Sequence, residues 1–373
     1  MTPGERFMKT ISFEQADRVP IMDFGYWGET INRWHHEGMP LDIDTTEKVE
    51  AYFGLDRGFE TNLVNYWGDD GPVGILWGIY PEFSKVVIEE TEDRITYGGE
   101  CGHIIESKTG ETIPHQTQWP VETMVDFETK VLTRMDPWDN GRILPGFEKM
   151  LSRSKNQQQA VGVWIDGYLA WPRILMGIER LAYTYYDDPD LIHAIQRHHT
   201  DFVKNFVDMV LKKTSLSYAC FFEDMAYNHG SLVSPDIFHA FMTPYYLELV
   251  DHLRARGIQK ILIDSDGNTV KLSDLLVEVG ADGHYPCEIN SGSYPEVLRS
   301  RHQHLALIGG IDKRALAVDK EAIDRELERI TPLLREGGYI PALDHRVHPQ
   351  VSMENYRYYV QRKTELIYKY SIG

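Results

Sequence analysis

Along the second half of the chain, short apolar runs alternate with longer stretches in which apolar residues recur at helical spacing. The runs are 160–165, 218–222, 260–263, 283–286, 305–308 and 339–343. Between them the spacing predicts helices near 173–186, over 190–212, from Ser234 onward, and near 270–279, 293–301 and 319–336. A last helix is predicted over 353–369. Ser234-Pro235-Asp236 is a helix start: the serine caps, proline takes the first position, and aspartate suits the positive end of the dipole. Strands alternating with long helices imply a parallel sheet, and apolar runs without clean alternation imply strands buried on both faces.

The first half is less regular. Residues 18–24 read as a first strand, 46–53 as a helix and 58–65 as a second strand. Residues 66–115 are rich in Gly, Trp, Tyr and β-branched residues, with hairpin-like runs at 86–90, 94–97, 103–107 and 112–115. They read as an insertion after the second strand, within a single domain spanning 1–373. Eight strands in all predict an α/β fold, a (β/α)8 TIM barrel with a β-hairpin-rich insertion.

Composition supports a large core and narrows the partners. Hydrophobic residues make up 42% of 373, and the formal charge is −19. That charge argues against a nucleic-acid backbone or an anionic membrane as partner. No apolar run approaches the ~18 residues a membrane-spanning helix needs. The N-terminal residues lack a hydrophobic signal core. Three cysteines without a CxxC suggest neither a disulfide framework nor a thiolate zinc site, and they fit a cytoplasmic setting. No GxGxxG follows a strand and no P-loop motif is present, so neither NAD nor a nucleotide is expected.

Nearly every predicted barrel strand ends in a carboxylate: Asp166, Glu223-Asp224, Asp264 with Asp266, Glu288, Asp312, and Asp344 before His345. Barrels of this kind carry their chemistry at the C-terminal ends of the strands. Asp264 and Asp266 would share a face if the strand persists, but Asp264-Ser-Asp-Gly-Asn268 suits a turn equally well. His345 is poised for acid–base work, with a solvated loop histidine as the plain alternative. Glu223 and Asp224 would orient substrate or form an ion pair with Arg173 or Arg346. Asp312 suits a helix cap. Aromatic residues gather near the strand ends and in the insertion: Tyr26, Trp27, Trp164 and Tyr168, with Trp67, Trp77 and Trp171. Tyr26, Trp27, Trp164, Tyr168 and Arg346 are the candidate substrate-binding set.

Asp17-Arg18-Val19-Pro20, Ser234-Pro235, and the closing His345-Arg-Val-His-Pro349 through Glu354-Asn355 together resemble the uroporphyrinogen decarboxylase superfamily. The resemblance implies the (β/α)8 barrel. It also implies one of two chemistries. The decarboxylases hold their substrate's carboxylates with arginines after the first strand, whereas here Asp23–Glu29 contains none. The corrinoid-dependent methyltransferases hold zinc at positions that fall here on Asp264, Asp266, Glu288 and His345, without any thiolate. Such oxygen-rich ligands would suit a harder divalent metal, or zinc held weakly. The resemblance thus implies an enzyme that moves a methyl group between a small methylated substrate, such as a methyl ether, and a corrinoid carried on a partner protein. His345, Asp264, Glu223 and Asp224 would be catalytic. A homodimer is a further expectation. The rival readings are a metal-assisted hydrolase or decarboxylating lyase, and a non-catalytic binding barrel.

Overall fold

The computed structural model describes residues 1–56, 64–65, 73–108, 114–156 and 158–370. Six parallel strands form one sheet, in the order Tyr339–Leu343, Ala306–Ile311, Gly283–Tyr285, Lys260–Asp264, Tyr218–Phe222, Gly162–Asp166. Each neighbour in space is a neighbour in sequence, with helices between, as in a (β/α) barrel wall. Just after the segment 18–24, Tyr26 forms an isolated parallel bridge with Val347, four residues beyond the last strand. Val347 and Trp27 complete that junction through backbone bonds to Gly25 and Val347. None of the first predicted strand, 18–24, pairs in a ladder: it stands in the place of a first stave and is tied to the last strand by the Leu343 amide, which donates to Asp23.

The second predicted strand, 58–65, lies outside the described residues except for Val64–Asn65, which pair antiparallel with Val73–Gly74. The insertion is a four-stranded antiparallel sheet of Lys85–Glu90, Arg94–Gly99, Ile104–Ser107 and His115–Gln116. The start of its last expected strand, and Trp67, also lie outside the described residues.

Alternate strand residues face a small inner core and a larger outer one. The inner core contains Tyr218, Cys220, Leu262, Tyr285, Ile308, Ile340 and Ala342. The helix Pro3–Ile11 plugs its lower end, with the Phe7 ring 5.5 Å from Tyr218. The outer faces pack against the helices in two aliphatic and aromatic layers. The expected helix near 173–186 is two helices, Ala170–Met176 and Ile178–Asp187. They break at Gly177, whose φ of 74° and contact with the Trp119 ring leave no room for a side chain. The helix at Pro189–Leu211 is capped by Asp188, and that at Pro235–Phe241 by Ser234, as the sequence implied. Among the described residues no helix is long and apolar enough to cross a membrane.

One buried group fixes the insertion to the barrel. Arg142 is fully buried and faces carbonyls: it donates to Leu76 (3.2 Å), Gly78 (2.8 Å), Arg134 (2.8 Å) and Asp136 (2.6 Å). Its guanidinium lies 5.2 Å from the Phe202 ring centroid on the long outer helix.

Candidate active site

The inward alternation that carries Leu262 continues to Asp264, and that of Ala342 to Asp344. On the first sheet strand it carries Gly162, Trp164 and Asp166 inward, on the second Tyr218, Cys220 and Phe222. The upper end of the barrel is therefore a ring of carboxylates above an apolar lumen. Trp164 stacks on Phe222, with centroids 5.6 Å apart and planes at 27°.

Asp266 stands at the centre of the charged part. Its carboxylate is 3.9 Å from Nε2 of His345. Burial, then Asp224 and Glu288, push its pKa up to about 7. Asp224 is also raised by burial and adopts a φ of 45°, the left-handed region that a residue with a side chain enters only at a cost. Glu288 accepts from the Gly267 amide (2.9 Å) and the Ser291 hydroxyl (2.8 Å). Gly267 itself has a φ of 87°, and a side chain there would strike the backbone of Ala226. His345 stacks on Trp27, with centroids 5.9 Å apart, and Arg346 lies 5.5 Å from the same ring. Burial and the nearby Lys313 bring the His345 pKa down to about 4, so the ring is neutral at pH 7.

Two cations complete the mouth, of which only Lys313 is unexpected from the sequence. Lys313 lies 3.3 Å from Asp344 and 4.0 Å from Glu288. Arg173 donates to the Asp224 carbonyl (2.9 Å) and lies 3.7 Å from its carboxylate. Arg173 is the ion-pair partner of Asp224 that the sequence offers; for Lys313 the available signal is its position directly after the Ala306–Ile311 strand and Asp312. Trp77 from the insertion is a third contributor, donating from its indole to Asp166 at 2.6 Å. Burial raises the Asp166 pKa to about 6.

Several expected site residues are not in the mouth. Glu223 is fully buried behind the wall, because Phe222 takes the inward position and the next residue must point out. It accepts from the amides of Tyr168 (2.7 Å), Leu169 (2.8 Å) and Ala170 (3.1 Å), and from the Tyr246 hydroxyl. It thus holds the start of the Ala170–Met176 helix and does not orient substrate. Replacing Glu223 by Gln puts an amide donor among those donors and is expected to lower stability by about 1–3 kcal/mol. Urea unfolding reads this directly, and an unchanged midpoint would contradict the assignment. Tyr168 is also fully buried behind the wall, bonded to Thr200 and the Tyr245 carbonyl. Tyr26 is buried against the last helix, 2.8 Å from the Tyr356 hydroxyl. Neither tyrosine reaches a substrate. Asp312 binds Arg314, while the following long helix is capped by Asp319.

The proposed metal ligands share the mouth but not a coordination sphere. Among the described residues no three His, Cys, Asp or Glu side chains come together as a metal site. Glu288 is committed to Gly267 and Ser291, and Lys313 already brings positive charge between Glu288 and Asp344. The donor set as arranged does not fit a divalent ion. Thiols do not supply one either: Cys220 and Cys287 are fully buried, and burial raises both pKa values.

Comparison with known proteins agrees with the closing motif. The family model for uroporphyrinogen decarboxylase (URO-D) matches residues 101–366. A uroporphyrinogen decarboxylase from Campylobacter fetus subsp. fetus (strain 82-40) is 26% identical over 189 residues, which is 50% of this chain and 51% of that protein. The chain thus matches about half the length of that curated relative. A solved B12-independent methionine synthase from Shewanella sp. W3-18-1, in complex with selenomethionine, aligns over 94% of both chains at 13% identity and a TM-score of 0.43. With the family model spanning most of its length, and with a parallel α/β wall of the family's barrel type, this chain belongs to the uroporphyrinogen decarboxylase family.

Proposed function

We propose that this chain is an enzyme that transfers a methyl group from a small oxygen-bound methyl donor to a corrinoid held by a partner protein. The observation that carries the reading is the pair of Asp266 and His345, 3.9 Å apart in a mouth where burial, reinforced by Asp224 and Glu288, raises the Asp266 pKa to about 7. A methyl–oxygen bond breaks readily only if the departing oxygen is protonated as it leaves. Asp266 is the acid for that step: its proton passes to the oxygen, the bonding electron pair stays on that oxygen, and the methyl group leaves. The corrinoid, when bound, supplies the nucleophile that takes the methyl. His345, neutral and stacked on Trp27, lies 3.9 Å from Asp266, beyond hydrogen-bond distance, and accepts a hydrogen bond from the leaving alcohol. Trp27 and the Trp164–Phe222 stack provide the apolar walls.

Methyl transfer to cob(I)alamin, followed by its visible spectrum across a panel of aryl and alkyl methyl ethers, tests this. Turnover with at least one donor is expected, and the rate should fall as pH rises through about 7, where Asp266 loses its proton. No turnover with any donor would end the reading. A decarboxylating lyase is the second reading, because Arg173 and Lys313 are cations at the mouth that could hold a carboxylate. Release of carbon dioxide without any corrinoid would favour it.

A further inference from the structure

We infer that Lys313 is a built-in cation of the barrel mouth, taking the electrostatic place of a bound divalent metal among Asp266, Glu288, Asp344 and His345. The inference rests on reading this mouth as the reaction site. Three observations lead to it. Lys313 reaches back from the end of the Ala306–Ile311 strand so that Nζ lies 3.3 Å from Asp344 and 4.0 Å from Glu288. Its own backbone amide donates to the same Asp344 oxygen at 3.1 Å, which anchors the residue at both ends. Asp344 is fully buried, and its other oxygen accepts from the Ile289 amide at 3.1 Å.

A buried carboxylate needs a partner of opposite charge, and here the ammonium is that partner. A divalent ion brought to the same acids would stand within a few ångströms of the ammonium. At that range, repulsion between like charges in a half-buried mouth outweighs what two or three oxygen ligands gain. The ammonium also does for the chemistry what a metal would do electrostatically. It makes the mouth less negative, and with one N–H kept on Asp344 the other two are left to face a leaving oxygen as negative charge develops on it.

The test measures metal affinity, so it stands whether or not methyl transfer is found. Chelator-treated protein is titrated with Zn2+ and with Mn2+ by calorimetry. The wild-type chain is expected to bind neither at the mouth. Lys313→Met should bind Zn2+ at least about tenfold more tightly than wild type. Lys313→Arg, which keeps the charge, should not gain affinity. Adding Asp266→Asn to Lys313→Met should return binding to the wild-type level, which separates the mouth from surface sites. Circular dichroism of each variant confirms that it is folded. One metal per wild-type chain surviving chelation overturns the inference. So does a Lys313→Met variant that is folded and gains nothing.

Discussion

Replacing Lys363 with Met is expected to lower the unfolding free energy by about 3–5 kcal/mol, the largest stability loss of any single substitution considered. Lys363 and Asp23 are each about 1% exposed at the side chain, and Nζ lies 3.0 Å from Oδ2. Nζ also donates to the Met22 carbonyl at 2.9 Å. Asp23 accepts in addition from the hydroxyls of Tyr356 (2.9 Å) and Tyr359 (3.0 Å) and from the Leu343 amide (2.9 Å). This one carboxylate therefore joins the first stave, the last strand and the last helix. Breaking a satisfied buried pair leaves a charge without its counter-charge, which is why the cost far exceeds that of a surface bridge. Urea denaturation followed by tryptophan fluorescence measures it. A loss below about 1 kcal/mol would mean that the tyrosines and the amide alone suffice for Asp23.

Asp266→Asn is expected to reduce methyl transfer at least about a hundredfold in kcat while leaving substrate affinity nearly unchanged. The same substitution should raise thermal stability at pH 8. The sign follows from the raised pKa of about 7. The folded state binds the Asp266 proton more tightly than the unfolded state, so stability from this group is present at low pH. It is lost as pH rises toward 7, where the carboxylate must ionise beside Asp224 and Glu288. An amide carries no such repulsion. The side chain is 38% exposed, so the stability gain is small and only its direction is at stake. A variant that loses activity and gains nothing at pH 8 would separate the two roles. A variant that keeps full activity would remove Asp266 from the mechanism. Stability sacrificed at a reaction site is a common trade.

Local pattern explains why most elements were legible. The Tyr218–Phe222 and Tyr339–Leu343 strands and the Thr46–Phe53 helix match the expected bounds, because apolar periodicity and caps act within a few residues. The helices Pro3–Ile11 and Gly28–His36 were missed although the first carries a full capping box from Thr2 to Glu5. The site was only half legible. Asp266, Glu288 and His345 do share the mouth, but Glu223 was misassigned although strand parity was available: with Phe222 inward, Glu223 points out. For Lys313 and Trp77 the sequence offers a place, after a strand end and in the insertion, but not the partner. Their roles come from contacts 31 and 89 residues away, to Asp344 and Asp166, and no local pattern encodes such distances.

The grip of Arg142 on the carbonyls flanking Trp77 has a practical reading for anyone wishing to redirect this barrel. Leu76 and Gly78 are held on either side of a single indole, and that indole donates to Asp166. The insertion is thus held by the Arg142 guanidinium and by the Trp77 ring, and the same ring is its probe into the mouth. Residue 77 sets what Asp166 meets, but its indole is also packed edge-on against His199, Phe202 and Phe206, so only a replacement that keeps an aromatic ring would change the probe while leaving the fixture mounted.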